Sequence, residues 1–233
     1  METAIVNKKT NHSGTPPAVY KKQRIEWAEQ VAPYVGGWNY PKKWPTGLIV
    51  HFTAGSGTEG EDDAEYMRHP GGAKNSWMVL VLGKTGRLFQ GFDCQHGGAH
   101  CRTFHHRNMV GVEIVNAGLL KPTSDGGGTS WFGKAIPSSK CRNFTAHKNQ
   151  VAGRYEQYTA IQEQKLIKLC LWYKEQEPEI FSFDNVLGHD EVCYLVGRPG
   201  AKNDPGGSLS MSMPEFRTLL KKLYAEGKTS ADY

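Results

Sequence analysis

Four side chains could together do chemistry that none of them suggests alone. His51 interrupts the apolar run Leu48-Ile49-Val50-His51-Phe52, and Glu113 interrupts Val110-Gly111-Val112-Glu113-Ile114-Val115. His189 follows Gly188 at the end of a short apolar stretch, and Asp204 lies in Asn203-Asp204-Pro205-Gly206-Gly207. Taken singly, either histidine reads as a buried, hydrogen-bonded imidazole and the aspartate as a turn residue. Glu113 is harder to place, because a lone carboxylate among apolar strand residues is costly unless it is paired or lies near a cation. A dication held by two imidazoles and one carboxylate would supply that charge. Three protein ligands with a fourth position open is the pattern of a catalytic zinc site. His51, His189 and Asp204 are thus candidate ligands, with Glu113 beside them.

The elements that must position these residues are legible in outline. An apolar, partly β-branched strand is expected over 48–53, ended by Ala54-Gly55-Ser56-Gly57. A second strand is expected over 77–82, turned by Gly83-Lys84-Thr85-Gly86 into 87–90 as a hairpin, and a third over 109–116. Thr159 and Gln162 fit a capping box, and Leu166, Leu169, Cys170 and Tyr173 make one helical stripe that stops before Pro178. A short strand over 183–187 leads into Gly188-His189. A last helix begins at Ser212, with Pro214 in its first turn and Glu215 three residues on, and runs to about Tyr224. Residues 20–35 suggest a short helix with Ile25, Ala28 and Val31 on one face, preceded by a mobile arm over 1–17. Residues 120–157 show no clear period and are expected to be a long loop. The pattern predicts a single α/β domain with a central mixed β-sheet flanked by helices. Its expected parts are an arm and short helix over 1–40, a catalytic domain over 41–224 and a tail over 225–233.

The same residues carry a family resemblance. The chain resembles the zinc-dependent N-acetylmuramoyl-L-alanine amidases, the amidase type 2 and peptidoglycan recognition protein family, and among them phage endolysins. Leu48 to Gly55 resembles the strand of the first ligand, Ser76 to Gln90 the hairpin after it, and Gly98-Ala99-His100 an Ala-x-His loop. Val110 to Asn116 resembles the glycine-x-glutamate strand. Gly188-His189 and Lys202-Asn203-Asp204-Pro205-Gly206 resemble the second-ligand segment and its Lys-x-Asp-Pro-Gly ending. The resemblance covers roughly residues 47–224. It implies one Zn²⁺ per chain on His51, His189 and Asp204 at one edge of the sheet, Glu113 as the general base, and Lys202 as the cation facing the oxyanion. It also implies Ser76 and His100 near the substrate. Separately, the segment 120–157 leaves the sheet directly after the Glu113 strand, so its Trp131 is expected on a wall of the substrate groove, the alternative being an insertion whose aromatics fill a small satellite core. Alone, Lys202 would be a solvated loop lysine. Two departures matter. Trp77 is followed by Met78 where the family often has a histidine. Cys193, four residues past His189, also offers a third ligand of the kind some phage members use, although the intact Lys-x-Asp-Pro-Gly match favours Asp204.

Composition narrows the partners. The net charge of +5 suits solubility or attraction to an anionic envelope, and the basic residues form no run like a nucleic-acid arm, so no nucleic-acid partner is expected. No stretch approaches the ~18 apolar residues of a membrane helix, so no membrane insertion is expected. The polar first residues carry no readable export signal; together with the resemblance to phage endolysins, the expectation is synthesis in a host bacterial cytoplasm and action on the wall after release. Five cysteines are too few and odd in number for a disulfide framework. Cys94, His96, His100 and Cys101 have zinc-binding donor types, but two intervening glycines and poor spacing favour a simple loop. The expected partner is peptidoglycan, with a regulatory protein partner left open.

Overall fold

The computed structural model describes residues 24–31, 38–68, 79–145 and 149–233. In chain order its strands are β1 (Glu29–Gln30), β2 (Trp38–Asn39), β3 (Gly47–Phe52), β4 (Val79–Leu82), β5 (Leu88–Gln90), β6 (His96–Gly97) and β7 (Met109–Ile114). These are followed by β8 (Leu119–Pro122), β9 (Gly128–Thr129), β10 (Ala135–Ile136), β11 (Cys141–Phe144), β12 (Gly153–Glu156) and β13 (Val186–Gly188). The α-helices are α1 (Glu61–Arg68), α2 (Ala160–Gln176), α3 (His189–Leu195) and α4 (Met213–Ala225). Six strands form the central sheet in the order β1-β5-β4-β7-β3-β13. The β4–β5 hairpin is antiparallel and the other pairings are parallel, so the sheet is mixed as expected.

Strand alternation sorts side chains between the two faces. Leu48, Val50, Leu80, Leu82, Val112 and Ile114 enter one core with Leu166, Leu169 and Cys170 of α2 and Phe216 and Leu220 of α4. Each such side chain, fully buried, contributes about 2 kcal/mol of transfer free energy. The intervening residues Ile49, His51, Val81 and Glu113 belong to the opposite face, where His51 and Val81 both lie in register with Glu113. Both long helices start as the sequence suggests. Thr159 caps α2 reciprocally with Gln162, and Ser212 caps α4 with Glu215, with Pro214 in the first turn.

Three expectations change. Residues 24–31 are turns followed by β1, not helix: the Ile25 amide donates to Gln90 Oε1, and β1 adds in parallel to β5. Ile25 is still buried, but at the start of a turn in which the Ala28 amide donates to its carbonyl. The stretch expected as a strand over 183–187 is a single 3₁₀ turn, Phe183–Asn185, before β13. The long segment after Asn116 is not a loop. It forms a second, antiparallel sheet in the order β10-β9-β8-β12-β11. Its strands have two to four residues, too short to display a period.

That small sheet packs on the segment carrying Asp204. Tyr155 of β12 is buried against Gly206, which holds φ +48, and a Cβ there would stand 2.4 Å from the tyrosine ring. Only glycine fits both the backbone angle and the contact. The last residues also pack back: Lys165 donates to the Tyr233 carbonyl and Ser230 is held by Glu175 of α2. All five cysteines are buried, and none of them forms a disulfide. Among the described residues, no helix is long and apolar enough to cross a membrane.

Candidate active site

The carboxyl ends of the parallel strands are where open α/β sheets gather ligands. His51 is the fifth of the six residues of β3 and Glu113 the fifth of the six residues of β7. Gly188 of β13 lies in register with Val50, so His189, the first residue of α3, comes alongside His51 at the sheet edge. Glu191 fixes this entry into α3. Its carboxylate accepts from the Gly188 amide at 3.0 Å and takes a two-pronged ion pair from Arg217 of α4 at 2.8 and 3.0 Å. Asp204 is tied in by its carbonyl, which accepts from the Asp190 amide, while the Asp190 carboxylate accepts from the Gly206 amide. Burial, reinforced by the Asp204 charge, pushes Asp190 up to about 8.

Three atoms meet at the centre. His51 Nδ1 and His189 Nδ1 are 3.0 Å apart, and each is 2.9 Å from Asp204 Oδ2. Among the described residues this is the one group of His, Cys, Asp and Glu side chains whose donor atoms converge in this way, and all three residues are buried. Protons satisfy such a triangle poorly, because hydrogens directed at the carboxylate leave the two Nδ1 atoms facing each other. A cation satisfies all three atoms at once. Zinc bonds of about 2.0–2.1 Å in tetrahedral geometry set ligand atoms about 3.3 Å apart, close to the spacing found. Burial, with the neighbouring His189, pulls His51 down to about 4, so it is neutral at pH 7. Burial pushes Asp204 up, but the two imidazoles outweigh it and hold the carboxyl well below its ordinary range. Two imidazoles and one carboxylate are a donor set that suits zinc.

Glu113 is 6 % exposed, and its Oε2 is buried without a hydrogen-bond partner. Burial first, then the Asp204 charge, push its carboxyl well above the ordinary range, with Lys202 opposing. The Lys202 side chain is exposed, and its charge reaches both His51 and Glu113. The Cys193 thiol is buried and stands outside the converging group, which contains Asp204.

The remaining candidates divide. Ser76 lies outside the described residues. His100, expected near the substrate, is 3 % exposed and lies behind His51. Its Nδ1 is 3.0 Å from His51 Nε2, and its Nε2 is 3.0 Å from the Met109 carbonyl. No sequence pattern tells which way a loop histidine turns. Trp131 is 76 % exposed at the tip between β9 and β10. Its indole N–H donates at 2.6 Å to the carbonyl of Ala54, three residues past His51. That tether has no signature in the residue pattern, nor do the supports from Glu191 and Arg217, although Glu191 three residues after Gly188 is a helix-start signal.

A family model described as N-acetylmuramoyl-L-alanine amidase matches residues 41–207, a span that contains every residue of this centre. The chain belongs to that amidase family. Solved structures with the same fold include Staphylococcus aureus hydrolase AmiA in complex with its ligand, at 16% identity and TM-score 0.53, with 90% of each chain covered. The endolysin amidase LysCS from Clostridium intestinale matches at 14% identity and TM-score 0.51, covering 85% of this chain and 98% of the other. A selenomethionine AmpD derivative matches at 19% identity and TM-score 0.50, covering 84% and 96%. No curated protein sequence matches significantly. The protein is thus an N-acetylmuramoyl-L-alanine amidase by family, and its converging triad lies on the amidase fold at the end of the central sheet.

Proposed function

We propose that this amidase hydrolyses the bond between N-acetylmuramic acid and L-alanine in peptidoglycan with one zinc ion held by His51, His189 and Asp204, and that it acts as a phage endolysin. The observation that carries the reading is the convergence of three donor atoms on the face of the sheet that also bears the unpartnered carboxylate of Glu113. When bound, zinc supplies Lewis-acid polarisation and acidifies a coordinated water. Glu113 takes the proton of the attacking water and delivers it to the leaving alanine nitrogen. Its raised affinity for a proton suits the second half of that transfer. Lys202 places an ammonium where negative charge develops on the lactyl carbonyl oxygen.

A polymeric wall substrate is supported by Trp131. With its N–H taken up by Ala54, the exposed ring presents an apolar face beside the strand end that bears His51, and sugar rings stack on such faces. The net positive charge favours approach to an anionic envelope. The deciding experiment compares intact sacculi with soluble anhydro-muropeptides as substrates of the purified, zinc-loaded protein. Release of stem peptides from sacculi is expected. Turnover of the soluble fragments alone would assign the chain to muropeptide recycling, and binding without turnover would make it a recognition module.

A further inference from the structure

His51 offers two ring nitrogens, and only an unprotonated Nδ1 can serve the converging centre. What decides which nitrogen carries the hydrogen lies behind it. The carbonyl of Met109 can only accept, so His100 Nε2, 3.0 Å away, must be the donor of that pair. A neutral His100 then has a bare lone pair on Nδ1. That lone pair faces His51 Nε2 at 3.0 Å, and the contact is a hydrogen bond only if His51 carries its hydrogen on Nε2. His51 Nδ1 is then left bare toward His189 and Asp204. The opposite arrangement would set the His100 Nε2 lone pair against the Met109 carbonyl oxygen, two acceptors facing each other inside the protein. Met109 begins β7, the strand that bears Glu113, and pairs in register with Gly47 of β3. The acceptor that anchors the chain is therefore fixed by the sheet itself.

We infer that His100 is a positioning residue: relaying from the Met109 carbonyl, it locks His51 in the Nε2–H tautomer and so presents Nδ1 to the metal. The inference rests on the zinc reading above for its purpose, but the tautomer can be measured without metal. A carboxylate or carbonyl behind a metal-bound histidine commonly fixes its ring in this way, and losing such a partner typically weakens metal affinity by 10–100-fold. Here an imidazole stands between the ligand and the carbonyl.

The test uses the full chain with ¹⁵N-labelled histidine, and reads ring-nitrogen shifts of the zinc-free protein and zinc affinity by competition with a chelator. In the wild type, His51 should show Nε2–H. His100→Phe removes both polar atoms. It should populate the Nδ1–H form, where Asp204 can accept, and weaken zinc binding by about 10-fold or more. His100→Gln has an oxygen to accept from His51 and an amide to donate to Met109, so it should restore both readouts to within a few-fold. His100→Asn is too short to span the two and should not. If the phenylalanine variant does not fold, the Gln–Asn contrast decides. An Nδ1–H form in the wild type, or equal zinc affinity in the folded variants, overturns the inference. A wild type that has the Nε2–H form but takes up no zinc would overturn the zinc reading and leave the tautomer relay standing.

Discussion

Glu113 and Asp204 are both buried carboxylates, yet the protein treats them oppositely. Asp204 is surrounded by imidazole nitrogen and held ionised, while Glu113 has an oxygen with no partner and is pushed toward its protonated form. Such a division separates a ligand from a proton carrier. Glu113→Gln should therefore keep zinc content near one per chain while turnover on sacculi falls by roughly 10²-fold or more. Loss of zinc in that variant would instead make Glu113 a ligand. Asp204→Ala should lose zinc or bind it much more weakly, whereas Cys193→Ser should leave metal content and activity nearly intact; elemental analysis of the two variants, with the reverse pattern as the contrary result, decides. His51 and Glu113 were legible because each breaks an apolar run, whereas Asp204, a turn residue on its own, was singled out only by the family resemblance. The place of His100 was not legible, because its role depends on a carbonyl of another strand, which has no signature in the sequence.

At the scale of elements, legibility followed length. Helices α2 and α4, with reciprocal caps and several turns of apolar stripe, could be read almost to the residue. Strands β3 and β7 stood out as apolar runs. The small second sheet was invisible because strands such as Gly128–Thr129 contain no full alternation, and their pairing is set by turns such as that at Thr123, whose amide donates to the Gly127 carbonyl. Helix α3 was missed for a related reason: seven residues give one turn of pattern beyond its caps. It is held by contacts from outside the helix, among them the Glu191–Arg217 pair, whose carboxylate is nearly fully buried. Removing one partner leaves the other charge poorly compensated. Glu191→Ala should lower stability by about 3 kcal/mol in denaturant titration and loosen zinc, because His189 opens that helix. A stable variant with unchanged metal affinity would show that α3 is held by packing alone. The small sheet itself divides by role. Tyr155 and Phe144 pack on the Asp204 segment, while the tip bearing Trp131 stays in solvent. Trp131→Ala should raise KM on sacculi with little change in kcat, as expected for binding shared by ground and transition states. Its thermal midpoint should shift by less than about 2 °C. A large fall in midpoint with unchanged kinetics would make the tip structural.

For the molecule as a whole, the metal should act as a brace across the fold. Chelation should abolish activity and lower the thermal midpoint, since a ligand at 1,000 times its dissociation constant adds about 4 kcal/mol to the folded state. Full activity in protein shown to be free of zinc would refute this. The brace also has a history in time. His51 and His189 are 138 positions apart and His51 and Asp204 are 153 apart, and β13, which brings His189 alongside His51, is the last strand laid into the sheet. A chain emerging from a ribosome at roughly 5–20 residues per second makes His51 several seconds before its partners exist. Until then a solitary imidazole has little hold on a metal ion. The three-residue centre thus cannot assemble until the chain has been made past Asp204, and a chain broken off before His189 should bind no zinc.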